Sequence, residues 1–176
     1  MKIETLRDLF MLKIMSLYDI ETTITKALPK VIKAATDPEL KESLITHLRE
    51  TETHVERLEK IFEMLEMKPK KTKVEAIRGL VADTEWIIGE DPSADLLDAL
   101  LIASARYVEH YEMAGYMTAI AWANLLDMED AGELLEATLE EETNAESILA
   151  EAAESKINPR AKEATSEDMA ADEEEM

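Results

Sequence analysis

Along the first 35 residues the apolar side chains Leu6, Phe10, Leu17, Ile24, Leu28 and Val31 recur at steps of three, four and seven. That spacing builds one apolar face on an α-helix. It predicts a first helix from Ile3 to about Ala35, with a kink at Pro29, where an interior proline removes a ladder hydrogen bond. ATDPEL then offers Asp37 as an N-cap and Pro38 as the first helical residue. A second helix follows, with Leu44, Leu48, Val55, Leu58, Phe62 and Leu65 on one face. MKPKKTK, residues 67–73, is a basic linker, and Val74 to about Ile88 is a shorter helix of mixed character ending at Gly89. After EDPSAD a long fourth helix runs from about Ser93 to Leu126, and a polar break at DMED leads to a fifth that reaches roughly Ser155.

Two long helical hairpins are thus joined by a 27-residue crossover, residues 67–93, that carries its own short helix. Short connectors make antiparallel neighbours, and a long crossover lets the second hairpin dock back onto the first, which is the plan of a four-helix bundle with one long connection. Composition agrees: Gly and Pro number only four and five, and Ala, Leu, Glu, Met and Lys dominate. The fold class expected is all-α, one bundle domain over residues 1–160 with an acidic tail over 161–176. The last 14 residues, Glu163–Met176, hold seven acids and no base and read as a disordered solvating segment.

Charge excludes some partners. With 40 Asp and Glu against 19 Lys and Arg, the net charge is −21, which repels nucleic acid and anionic membrane surfaces. The longest uncharged run, Met113–Leu126, is 14 residues, short of the ~20 that a spanning helix needs. No cysteine is present, so disulfides, thiolate metal sites and thiol catalysis are excluded, and a reducing cytoplasm suits the chain. MKIETLRDLF is too charged for a signal peptide, so a cytoplasmic location is expected.

Against this background RYVEHYEMAGY, residues 106–116, is anomalous, because it sets Glu109, His110 and Glu112 between the apolar runs LLIAS and MTAIAWANLL. A buried carboxylate needs a cation, a donor or water. Counted from the turn at Asp37, Glu21 lies 16 residues back, and Glu50 and His54 lie 13 and 17 forward. Counted from Met128, Glu112 and Glu109 lie 16 and 19 back, and Glu142 and Glu146 lie 14 and 18 forward. All stand roughly 24 Å from their turns at 1.5 Å per residue, so stacked hairpins bring acids from four helices to one depth. Pairs three or four apart, Glu109/Glu112, Glu50/His54 and Glu142/Glu146, each aim two groups at one point. Carboxylates with some imidazole suit Fe(II) or Mn(II), and bundle interiors hold di-metal carboxylate sites. A lone inward Glu is ordinarily a solvated or salt-bridged residue; it is the shared depth that points to metal. His54 lies off the centre of its stripe, and His47, seven residues earlier on the same side, can replace it or support it. His110 should point elsewhere, and Glu140 and Glu141 read as surface. Tyr18, Tyr107, Tyr111 and Tyr116 read as core packing, with a bond to a ligating carboxylate as the alternative.

The stretches LYDIETTITKAL, HLRETETHVERLEKIF, LIASARYVEHYEMAGY and LLEATLEEE closely resemble the YciE/YciF family of ferritin-like stress-response proteins, in order and across roughly residues 4–155. The resemblance implies a ferritin-like bundle, a homodimer, a di-iron-type centre and a link to stress. Carried over by position, it points to Glu21, Glu50, Glu109, Glu112 and Glu142, with His54 and Glu146 where the family varies. Glu109 and Glu112 also resemble the paired acids of rubrerythrins. Those proteins place Glu-x-x-His on two helices, whereas ETETH spaces its pair by four and ETNAE ends in a carboxylate, which departs from a rubrerythrin-type peroxidase.

The expected cofactor is a pair of iron ions, or manganese, and the expected chemistry is Fe(II) oxidation or reduction of O2 or peroxide. The alternative is an acidic bundle with a structural metal site, or none, acting through a protein partner. Six carboxylates and a neutral His around two divalent ions leave −2, and around two trivalent ions leave zero, so a complete set would favour the oxidised state.

Overall fold

A computed structural model of the chain describes residues 2–164. Its helices are α1 (Leu6–Ala34), α2 (Pro38–Met64), α3 (Glu75–Gly89), α4 (Ala94–Leu125) and α5 (Glu129–Ala152), followed by a π turn at Ala153–Ile157. Residues 158–164 are helical again, and no strand occurs among the described residues. The fold is the all-helical bundle that the apolar pattern predicts.

Each helix begins for a local reason. At α1, Thr5 and Asp8 form a reciprocal capping box: the Asp8 amide donates to Thr5 Oγ1 (3.2 Å) and the Thr5 amide to Asp8 Oδ2 (2.9 Å). α1 continues through Pro29 as one element. At α2, Asp37 Oδ1 accepts from the Glu39 and Leu40 amides (3.0 and 3.2 Å) with Pro38 at the first position, as the sequence predicts.

α1 packs beside α2 and α4, and α5 beside the same two. The chain goes up through α1 and down through α2, climbs the outside of the bundle, goes down through α4 and returns through α5. α3 lies across α1 and α4. Buried Asp19 of α1 ties down the crossover, accepting from the Val74 amide (2.9 Å) and from both terminal nitrogens of Arg78 (2.6 and 3.0 Å). Arg78 holds the Asp19 carboxyl below its usual range against the opposing effect of burial.

The core runs the length of the bundle, with Phe10, Ile14, Leu17, Leu58, Ile61, Phe62, Leu101 and Leu135 sealed from solvent. α1 and α4 approach closely at Gly115, where a Cβ would stand 3.0 Å from Leu17 Cδ2. At the α1–α2 turn, buried Asp98 of α4 accepts from the Thr36 amide (2.8 Å), the Thr36 hydroxyl (2.6 Å) and the Asp37 amide (2.8 Å). The C-terminal segment closes that end, Lys156 and Arg160 each pairing with Asp37 at 2.9 Å, Lys156 also with Glu39 and Arg160 also with Asp95.

Along α5 the buried positions are 131, 132, 135, 138, 142, 145 and 149, and beyond it they are 153, 157 and 161. Helix therefore continues past the expected boundary at residue 160, and the rest of the expected acidic tail, 165–176, lies outside the described residues. Among those residues no helix is long and apolar enough to cross a membrane.

Candidate metal centre

Midway along the bundle six side chains converge: Glu21 from α1, His47 and His54 from α2, Glu109 and Glu112 from α4, and Glu142 from α5. All six are buried, and Glu21, His54, Glu112 and Glu142 are wholly sealed. His47 and His54 are seven residues apart, two helical turns on nearly the same face. They approach Glu142 from opposite sides, His47 Nδ1 at 4.0 Å from its Oε2 and His54 Nδ1 at 3.2 Å from its Oε1.

The six residues form two groups that share Glu142. In one, His47, Glu109, Glu112 and Glu142 each offer an atom, all within 4.8 Å of one another; in the other, Glu21, His54 and Glu142 do the same. Bonds of roughly 2.0–2.2 Å set opposed ligands of one ion about 4.2 Å apart, so each group has the dimensions of a single coordination sphere. Eight buried atoms here have no hydrogen-bond partner: Glu21 Oε2, His47 Nδ1, His54 Nδ1, Glu109 Oε2 and both oxygens of Glu112 and of Glu142. Among the described residues, every unpartnered buried side-chain polar atom belongs to this cluster. Leaving such groups unmade costs about 1–3 kcal/mol each, so a natural core keeps few of them without a function. Buried, unpartnered oxygen and imidazole donors in two compact sets fit a pair of divalent cations.

The electrostatics of the metal-free cluster follow from crowding acids away from water. Burial, then repulsion from Glu142, pushes the Glu109 and Glu112 carboxyls well above their ordinary range. Burial also raises Glu21, against the pull of His54. Burial lowers His47. His54 goes the other way, since the contacts with Glu142 and Glu21 outweigh its burial and raise it to about 10. Glu142 is drawn down by His54 and His47 although burial opposes this. In the metal-free core burial thus favours the neutral form of Glu21, Glu109 and Glu112, while the approach of His54 to Glu142 favours the charged form of both.

Around the cluster stand groups that fix it. The Tyr116 hydroxyl, sealed on α4, donates to Glu21 Oε1. His54 Nε2 meets Glu141 Oε2 at 2.8 Å, and Arg57 grips Glu141 with both terminal nitrogens, Nη2 at 2.8 Å from Oε1. Glu141, read from sequence as surface, is thus an orienting partner of His54. Its Arg57 partner, three residues beyond His54, was the available signal.

Five of the seven residues singled out from sequence, Glu21, His54, Glu109, Glu112 and Glu142, come together here, and His47 joins them. Glu50 and Glu146 do not belong to either group. Glu50 is half-buried on α2, its carboxyl raised by partial burial and by repulsion from Glu141. Glu146 is bound by Arg106 (Nε 2.8 Å, Nη2 2.7 Å), with His110 at 3.5 Å. His110 itself points outward, as expected. Of the other tyrosines, Tyr18 donates to Glu59 (2.8 Å), and Tyr107 and Tyr111 are exposed. The charge count changes accordingly: four carboxylates and two neutral imidazoles balance two divalent ions.

Residues 5–162 match a protein family described as a domain of unknown function, DUF892. The chain belongs to the DUF892 family. This DUF892 chain is 33% identical over 162 residues to Protein YciF of Escherichia coli strain K12, a match covering 92% of it and 98% of YciF. The crystal structure of that relative, described as a stress protein, matches 89% of the chain and 99% of YciF with a TM-score of 0.85. A Rhodopseudomonas palustris protein named YcfI, provisionally described as structural, is 40% identical with a TM-score of 0.83, over 85% of this chain and 95% of that one. A protein of Xanthomonas campestris pv. campestris, 16% identical with a TM-score of 0.72 over 91% of this chain and 98% of its own, shares the fold.

Proposed function

We propose that the chain holds two iron or manganese ions at this centre and uses them to oxidise Fe(II) or to reduce O2 or peroxide, as a protective response to stress. The observation that carries this reading is the set of eight unpartnered buried donor atoms, all on the six converging residues. The likeness to a stress protein, YciF of E. coli, supports the protective role.

When bound, two such ions supply one electron each, so that O2 with two protons leaves as hydrogen peroxide, or peroxide with two protons leaves as two waters. The chain's own part is to bind and to manage charge. His47, Glu109 and Glu112 would hold one ion and Glu21 and His54 the other, with Glu142 common to both sets. Bound cations would favour the ionised form of Glu109 and Glu112, against the effect of their burial. Tyr116 fixes Glu21, and Arg57 through Glu141 fixes the ring of His54. Glu50 and Glu141, close enough to influence Glu142 and His54, offset positive charge that builds up on oxidation. Glu146 stabilises α4 against α5 through Arg106 and stands outside this proposal's ligand set.

A homodimer in the cytoplasm belongs to the same proposal. α4 exposes Leu100, Ala103, Tyr107, Ala114, Met117, Ala121 and Leu125 at helical spacing, a carboxylate-free stripe on a chain of net charge −21. Large side chains, the neighbouring Tyr111 among them, are interspersed with alanines along it, a surface that a second copy related by a two-fold axis can cover.

The test is anaerobic titration with Fe(II) followed by exposure to oxidant. Two ions should bind per chain and then oxidise faster than free iron, and Glu112→Ala should reduce both binding and rate to background. Two ions that bind but oxidise no faster than free iron would instead make the metal structural and favour the partner-binding alternative.

A further inference from the structure

A cavity of about 60 Å³ lies between α1, α3 and α4 and ends on the centre. Its wall is made of Ile24 and Leu28 of α1, Val81 and Ile88 of α3, and Ala105 and Val108 of α4, and its lining includes His47 and Glu109 but neither Glu21 nor His54. Lys30 and Glu85, half exposed and paired at 3.2 Å, also line it and mark its outer rim. We propose, resting on the di-metal reading above, that this cavity is the passage by which dioxygen reaches the centre, arriving on the His47/Glu109 side.

Size and polarity select the occupant. By the same measure one water needs roughly 10–15 Å³, so the cavity takes a diatomic or a few waters and is far too small for an acyl chain. A hydrated divalent cation would shed its water against aliphatic wall with no compensating ligand before His47, at a cost of many kcal/mol. Peroxide makes several hydrogen bonds in water and would find few here. Thr84 on the wall already donates its hydroxyl to the Leu80 carbonyl (2.9 Å), which leaves Ser104 as the other hydroxyl of the lining. Dioxygen is apolar, loses nothing on leaving water, and fits. Cations have acids elsewhere: Glu50 and Glu141 are partly exposed near His54, and neither lines this cavity. The two halves of the centre are therefore unequal, with O2 meeting the His47 half first.

The experiment pairs a ligand readout with a rate. Metal-free wild type under xenon, an apolar probe of similar size, should bind one atom in the cavity by crystallography or 129Xe NMR. Ala105→Phe, and independently Val81→Phe from the opposite wall, should abolish that binding. The same variants, loaded anaerobically with Fe(II), should keep wild-type iron stoichiometry yet oxidise it with O2 at least tenfold more slowly. Absence of xenon from the wild-type cavity overturns the proposal, as does a plugged variant that binds iron fully and oxidises it at the wild-type rate. If wild type binds iron but reacts no faster than free iron, the di-metal oxidation reading fails instead. Xenon occupancy, read without metal, separates that failure from failure of the passage.

Discussion

Glu112 offers a direct measure of what the centre costs the fold. Its side chain is wholly buried, neither carboxyl oxygen has a hydrogen-bond partner, and burial pushes its carboxyl well above the ordinary range. Glu112→Met removes both unpartnered oxygens and keeps a flexible side chain of similar length in the same space. At about 1–3 kcal/mol per unsatisfied buried polar group, with part of that relieved because burial favours the neutral carboxyl, metal-free protein should gain about 2–4 kcal/mol. For a domain of this length that is a rise in Tm of roughly 5–15 °C. The assay is thermal unfolding of chelator-treated wild type and variant by circular dichroism, with and without added Mn(II). Wild type should be stabilised by metal and the variant should not, so metal narrows or reverses the gap between them. A metal-free variant that melts at or below the wild-type temperature would refute the reasoning, because the carboxyl would then have to be satisfied by a group of the protein itself.

Further outcomes follow from the same geometry. Glu109 and Glu112 are raised above the ordinary 4.5 and His54 from 6.5 to about 10. A raised folded-state value gives stability that is complete below the unfolded value and is lost as pH rises, so metal-free protein should melt progressively lower from pH 5 to pH 9. Saturating metal, which favours the ionised carboxylates, should flatten the decline in the same scans. Asp98→Ala leaves the Thr36 amide, the Thr36 hydroxyl and the Asp37 amide without their acceptor, and should cost about 2–4 kcal/mol by chemical denaturation without changing metal stoichiometry. Glu146→Gln, which loosens a partly exposed pair with Arg106, should cost under about 1 kcal/mol and keep two ions per chain by elemental analysis, whereas His47→Ala should lose one.

The apolar periodicity made the five helices, their order and the long crossover legible, because each helix buries one face and short turns force antiparallel neighbours. The depth count found Glu21, His54, Glu109, Glu112 and Glu142 for the same reason: distance along a helix is fixed by its rise. Rotation about the helix was harder to read. The buried line on α2 runs Leu44, His47, Thr51, His54, Leu58, Ile61, and its centre is polar, so the leucine and valine stripe beside it gave a direction displaced from the true one. Glu50 is one residue before Thr51 on that line and Glu146 one residue after Ala145 on α5, each about 100° off the inward direction. His47, left open as an alternative, falls on it. Asp98 acts across the bundle on residues far apart from it in the chain, and no local pattern marks such a partner.

The π turn at Ala153–Ile157 stores one residue more than a plain α-helix would need to keep the same face inward. Up to Leu149 the inward residues alternate steps of three and four, but 149, 153, 157 and 161 are all four apart. On an α-helix each step of four overshoots by about 40°, and the wider π turn winds that excess back. Lys156 and Arg160 are thereby returned to Asp37 and Asp95. Losing a single residue between 153 and 157 would restore the alternation of three and four, so that a plain α-helix carries Ile157 and Ala161 inward, whereas gaining one would swing everything after it about 100° around the axis and both cations away from their acids. Substitutions at the exposed sites Glu154 and Ser155 leave that phase intact, so this part of the gene should accept changes of letter, and the loss of one residue, far more readily than the gain of one.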